Sequence, residues 1–176
     1  MGVGVAVGAA LVTGVTKAIQ LDEARREVTA QLGLTEPESQ KVGAAAGHLF
    51  ASAYGESVTQ VSQVVGQVVG SIEGMRDASQ ATLENMSRDV LNFSKAFEQD
   101  TGRATQVVGQ LLTTGLAKDA DEAMDLLTKS MQSVPANVRD DIMDAADEYG
   151  PFFAQIGLDG EKAFGLLAEG KNIKNI

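Results

Sequence analysis

Cysteine and tryptophan are absent from this 176-residue chain, histidine occurs once, proline three times, and aromatic residues make up 5%. Without cysteine there is no disulfide, no thiolate metal site and no cysteine nucleophile. A lone histidine, His48, leaves no zinc site of ordinary composition. A serine–histidine–aspartate triad would have to use it, and no GxSxG elbow presents a serine. In "AGHLF" it sits among small apolar residues and reads as structural. Positive charge is scarce too. Fourteen Lys and Arg stand against 24 Asp and Glu, a net charge of −10. Binding to nucleic acid draws on a basic surface that displaces counterions from phosphates, so no stable nucleic-acid partner is expected. Long apolar runs are missing as well. The opening "MGVGVAVGAALVTGVT" is uncharged for 16 residues, short of the roughly 20 that a spanning helix needs. Lys17 follows the run instead of preceding it, the wrong order for a secretory signal. The run reads as a packed or interfacial helix, or as a surface where a longer chain was cut.

Other chemistry is thin. The carboxylates of "DADE" and "DDIMDAADE" fall at helical spacing on charged faces, where solvation is the default. "DADEAMDLLTKS" lacks the central glycine and final glutamate of a calcium loop. "GVGVAVG" is followed by no Lys-Ser/Thr pair and is no phosphate loop. The chain is expected to be no enzyme, with no catalytic residue, no metal and no cofactor.

What is present is helical period. Met75, Leu83, Met86, Val90, Phe93 and Phe97 form one stripe; Ala120, Met124, Leu127 and Met131 a second; Val138, Ile142, Ala145 and Tyr149 a third; Phe164 and Leu167 begin a fourth. "TEPE" places Thr35 at an N-cap with Glu38 three residues on, a capping box. Asp119 with Glu122 repeats the pattern, Asp159 caps without completing it, and Ser133 precedes Pro135 at another start. The three prolines belong near helix starts or in turns. Strand signals are weak. The expected fold is all-α: a series of amphipathic helices and helical hairpins, Gly/Ala-rich in its N-terminal half. Two internal echoes, one shifted by 43 residues ("YGESVTQVSQVVGQVV", "FEQDTGRATQVVGQLL") and one by 40 ("LAKDADEAMDLL", "IGLDGEKAFGLL"), suggest repeated hairpins.

Composition divides the chain into a Gly/Ala/Val-rich helical region, 1–75, an acidic amphipathic helical domain, 76–170, and a frayed tail, 171–176. Between Val42 and Ile72 the one formal charge is Glu56. In that stretch small residues recur every fourth position: Gly43, Gly47, Ala51 and Gly55, then Gly66, Gly70 and Gly74. Glycine inside a helix costs about 1 kcal/mol relative to alanine. The offset expected here is close backbone approach, because residues four apart share one helix face. Each stripe could pair with the other in a hairpin or meet a neighbouring chain.

The stretch from Asp121 to Gly170 resembles the helical domain of tape measure proteins of long-tailed bacteriophages. The resemblance rests on Tyr149, Phe153, Ile156, Gly157, Leu158, Asp159, Glu161, Ala163, Phe164, Leu167 and Gly170, with "LGLTEPES" (32–39) as a related entrance to a helix. These are packing and capping residues. The resemblance implies a non-enzymatic structural segment acting in tail assembly, tail length determination and genome ejection. It implies a place in the lumen of the tail tube of the virion, after synthesis in the host cytoplasm. Self-association, tail-tube or tail-tip proteins and transient contact with a host membrane follow as partners. A single helix of this length would span about 260 Å, so the chain would be one domain, a truncated product or a remnant of the whole ruler. Two other readings stand beside it: a membrane-active helical protein, pore-former or effector, and an acidic helical adaptor.

Overall fold

The computed structural model describes residues 3–173, with side chains described for 16–170. Among them are eight α-helices and no strand: α1 (Val3–Leu32), α2 (Glu36–Ala51), α3 (Val58–Ser71), α4 (Gln80–Phe97), α5 (Thr101–Thr113), α6 (Ala120–Ser133), α7 (Arg139–Gln155) and α8 (Gly160–Ile173). A 3-10 turn at Ala136–Val138 leads into α7. The fold is all-α. Residues 174–176 of the expected tail lie outside the described residues, and α8 runs through 171–173.

The caps explain the starts. Ser57, Ser79, Asp100, Asp119 and Asp159 each accept the N–H of the residue three ahead, at 2.8–3.1 Å. A short polar side chain there satisfies one of the orphan donors of the first turn. At Thr35 the box is closed by Glu38, whose carboxylate accepts both the backbone N–H (2.6 Å) and the hydroxyl (2.7 Å) of Thr35. Glu122 instead reaches the N–H of Lys118 (2.7 Å).

The stops repeat as well. Gly33, Gly74, Gly115 and Gly157 all have φ between 59° and 80°. They stand 41, 41 and 42 residues apart, each ahead of an even-numbered helix. At two of them the closing bond is the same. Leu34 N–H donates to Thr29 O (3.1 Å) and Leu158 N–H to Phe153 O (3.0 Å), the long-range bond of a Schellman turn. A left-handed residue is required there, which is why "LGLT" and "IGLD" look alike. The echoes noted in the sequence fall on corresponding places: α3 and α5 begin 43 residues apart, α6 and α8 begin 40 apart.

These hairpins stack in two layers. The even helices pack in succession, α2 on α4, α4 on α6, α6 on α8; the odd ones likewise, α1 on α3, α3 on α5, α5 on α7. Each helix therefore touches its chain neighbours and the next member of its own layer, the contact pattern of a helical repeat array. One apolar cluster runs through the stack from Val28 to Ala168. Its largest fully buried members are Leu83, Leu111, Leu127, Met131, Ile142 and Met143.

Three local expectations change. Met75 is buried but sits in the α3–α4 connection, ahead of the stripe it was assigned to. Ser133 ends α6 instead of starting a helix. Pro151 lies inside α7. Proline has no N–H, so the carbonyl of Asp147 loses its helical donor. The Gln110 amide of α5 supplies one across the layer, Nε2 to Asp147 O at 2.8 Å.

Candidate functional site

The glycine face of α2 and that of α3 do not pair with each other. Both receive α1. A Cβ added at Gly43 would stand 2.7 Å from Arg25 Cδ, and one at Gly47 3.3 Å from Leu21 Cδ2. At Gly66 it would stand 2.8 Å from Val28 Cγ1, and at Gly70 3.0 Å from Leu32 Cδ2. Leu21, Arg25, Val28 and Leu32 are one row of α1, at spacings of four, three and four. That row lies in a seat with four glycines for its floor. Arg25 is held along it by Ser39 Oγ (2.8 Å) and Asp22 Oδ1 (2.9 Å).

The other stripe positions are elsewhere. Ala51 ends α2 and is exposed. Gly55 (φ 75°) and Gly74 (φ 80°) lie outside the helices, in turns that need a left-handed residue. Four-residue spacing continued through them, but their role there is conformational. Two close approaches went unnoticed in the sequence. A Cβ at Gly109 would run into the backbone carbonyl of Ser71, so α5 crosses the end of α3 at that point. One at Gly160 would run into the carbonyl of Leu116. Gly109 was findable: it occupies the place of Gly66 in the echoed "QVVGQ".

The residues that carried the resemblance come together as the α7–α8 joint. Phe153 and Leu158 are half-buried and joined through the Schellman bond, Gly157 makes the turn, and Asp159 caps α8 and pairs with Lys162 Nζ (2.7 Å). Phe164 is buried and Leu167 half-buried beneath. Tyr149 stacks at a tilt on Phe153 yet stays 46% exposed.

Polar contacts tie one repeat to the next. At the α1–α2 joint Arg76, from the α3–α4 connection, donates to Glu38 Oε1 (2.8 Å) and to the carbonyl of Gly33 (2.9 Å). Lys41 returns the contact by donating to the carbonyls of Arg76 (2.6 Å) and Ala78 (2.8 Å). The Arg76 guanidinium, aided by the backbone and hydroxyl donors of Thr35, lowers the Glu38 carboxyl to about 2. Between α5 and α7, Arg103 pairs with Asp144 and Gln106 donates to Asp147 Oδ1 (3.3 Å). His48 is a surface residue beside Glu84 Oε1 (3.0 Å), contrary to the apolar setting its neighbours suggested.

An open groove of about 630 Å³ between α4 and α6 is lined by Arg88, Asp89, Asn92, Phe93, Asp121 and Asp125. Among the described residues no three His, Asp or Glu side chains gather closely enough to hold a metal ion. Nor is any described helix long and apolar enough to cross a membrane. What the geometry supplies is helix packing with stated polarity.

Residues 50–176 match the family of phage-related minor tail proteins. Over 80 residues the chain is 42% identical to a probable tape measure protein of Streptomyces phage phiC31. That similarity takes in 42% of this chain and 11% of the relative, so the chain matches only a small part of the relative's length. No solved structure matches.

Proposed function

The chain belongs to the phage-related minor tail protein family, and from that premise we propose that it is a segment of a tail tape measure protein, setting tail length during assembly and leaving the tube ahead of the genome. As a member of that family it is a structural tail component of the virion. The observation that carries the finer reading is the 42% identity to a probable tape measure protein, which lies on a helix-only architecture repeating about every 41 residues. A modular helical chain suits a ruler, since adding or removing a module changes length by a constant step.

The surroundings follow from the same reading. The segment lies in the lumen of the tail tube, beside further copies of itself and against tail-tube or tail-tip proteins. Its net charge of −10 disfavours adhesion to DNA passing through the same space. No group in it is assigned a catalytic role. Deletion of one repeat, residues 74–114, in the phage that encodes the protein tests this directly. Laid out as helix, the lost repeat shortens the tail by about 60 Å. Tails of unchanged length by electron microscopy would remove the ruler role while leaving a structural tail protein.

A further inference from the structure

The three boundaries between successive hairpins are held differently. Between the first hairpin (α1, α2) and the second (α3, α4), Arg76 reaches Glu38 and the carbonyls of Leu32 and Gly33, Lys41 reaches the carbonyls of Arg76 and Ala78, and His48 meets Glu84. Between the third (α5, α6) and the fourth (α7, α8), Arg103 pairs with Asp144, Gln106 and Gln110 reach Asp147, and Arg139 donates to the carbonyl of Met131 (3.3 Å). Between the second and the third, no side-chain hydrogen bond, ion pair or ring contact crosses among the described residues. Polar groups there bond inside their own hairpins: Arg88 with Asp89, Thr105 with the carbonyl of Gly102, Ser130 with that of Leu126. Gln67 shows the difference most clearly. It occupies the place of Gln110 in the echoed "QVVGQ" and faces α5 beside Gly102, where an added Cβ would stand 3.2 Å from its Nε2. Gln110 crosses to Asp147 O (2.8 Å); Gln67 has no such partner, and its Oε1 is buried without one.

The same boundary is closed on one side and open on the other. In the odd layer the backbone of α5 at Gly109 rests on the carbonyl of Ser71 at the end of α3, with no room for even a methyl group. In the even layer α4 and α6 are parted by the groove of about 630 Å³, against about 280 Å³ between α2 and α4 and about 420 Å³ between α6 and α8. At the foot of the groove the α4–α5 connection is fixed to α7: Gln99 Nε2 donates to Asp140 Oδ1 (2.8 Å), and Arg139 lies over the Phe97 ring. A backbone contact along one layer, a fixed foot and no polar tie across the mouth make the geometry of a hinge. We propose that the stack is hinged between its second and third hairpins, with α4 and α6 swinging apart about the α3–α5 contact while α1–α4 and α5–α8 keep their own packing. The walls that part carry Asn85, Asn92, Asp121 and Asp125, all exposed, so separating them removes no group from a partner. The apolar floor of Phe93 and Met124 draws them closed. Either flanking boundary has to break charge-assisted bonds to open in the same way.

The test uses the full chain, which has no cysteine, so introduced cysteine pairs carry nitroxide labels without background. Two pairs span the α4–α6 groove, Asn85→Cys with Asp125→Cys and Asn92→Cys with Gln132→Cys. Ala51→Cys with Asn85→Cys spans α2–α4, and Lys129→Cys with Glu169→Cys spans α6–α8. Each residue is exposed and lines the groove that its pair spans, and unchanged helical circular dichroism checks the fold of each variant. Electron paramagnetic resonance then gives the distance distribution of each pair. Both α4–α6 pairs should show two distances, or one distribution about twice as wide as those of the flanking pairs. Three results each overturn the proposal: α4–α6 distributions as narrow as the flanking ones, equal broadening at all three boundaries, or broadening in one α4–α6 pair alone, which is motion of the label.

Discussion

The first three helices and α7 bury their faces by opposite means. Around α1 the contact surface is made by removing side chains: Gly43, Gly47, Gly66 and Gly70 let Leu21, Arg25, Val28 and Leu32 lie close to the backbones of α2 and α3. Around α7 it is made by adding them, with Met143 and Ile142 fully buried and an arginine–aspartate and glutamine seam along the edge. The difference shows in what each region tolerates. In the seat the α1 side chains rest directly on helix backbone, so an atom added at Gly66 or Gly70 meets Val28 or Leu32 at 2.8–3.0 Å. A seam of long side chains can readjust.

Breaking the seat should have the largest effect. Gly66→Leu together with Gly70→Leu forces two bulky groups into the row of Val28 and Leu32. Overpacking typically costs about 1–3 kcal/mol per site, so urea unfolding should show a loss of about 2–6 kcal/mol. Gly109→Ala should follow at about 1–3 kcal/mol, because the atom in the way is a backbone carbonyl. Gly43→Ala makes a gentler comparison. Its obstacle is the flexible stem of Arg25, and its cost should fall well below that of Gly109→Ala.

The clasp at the α1–α2 joint gives a pH test. The Glu38 carboxyl is lowered from 4.5 to about 2 by Arg76 and Thr35. A carboxyl lowered by folding adds stability above its unfolded value, and that contribution fades as pH falls from 4.5 toward 2. Glu38→Gln should flatten the fall in melting temperature across that window, and an unchanged slope would assign it to other carboxylates. The smallest effect sharpens the comparison from the other side. Gly165 in α8 has open space where a Cβ would go. Gly165→Ala should therefore raise stability by about 0.5–1 kcal/mol, the helical preference of alanine over glycine, where the same change in the seat lowers it.

Much of this was legible from residues alone, and the limits have physical reasons. Helical period and caps are local, so the all-α class and the starts at Thr35, Asp119 and Asp159 could be read directly. The repeat was visible as echoes of 40 and 43 residues, although its clearest marker, the left-handed glycine before each even helix, was not. A glycine ending a helix and a glycine inside one look the same in a four-residue spacing. Gly55 and Gly74 therefore merged with the stripes, and only backbone φ separates them. What fills a glycine face is a tertiary fact. Nothing near Gly66 names Val28, 38 residues earlier. Pro151 hid its place inside α7 for the same reason, because the donor replacing its missing N–H comes from Gln110 in another helix.

The most direct measurement is a double-mutant cycle of Gly66→Ala and Val28→Ala, followed by urea unfolding. Contact between Val28 and the helix floor predicts that Val28→Ala relieves the cost of Gly66→Ala, with a coupling of about 1 kcal/mol or more. Additivity within about 0.5 kcal/mol would mean that α1 does not rest on that glycine, and the seat would be wrong.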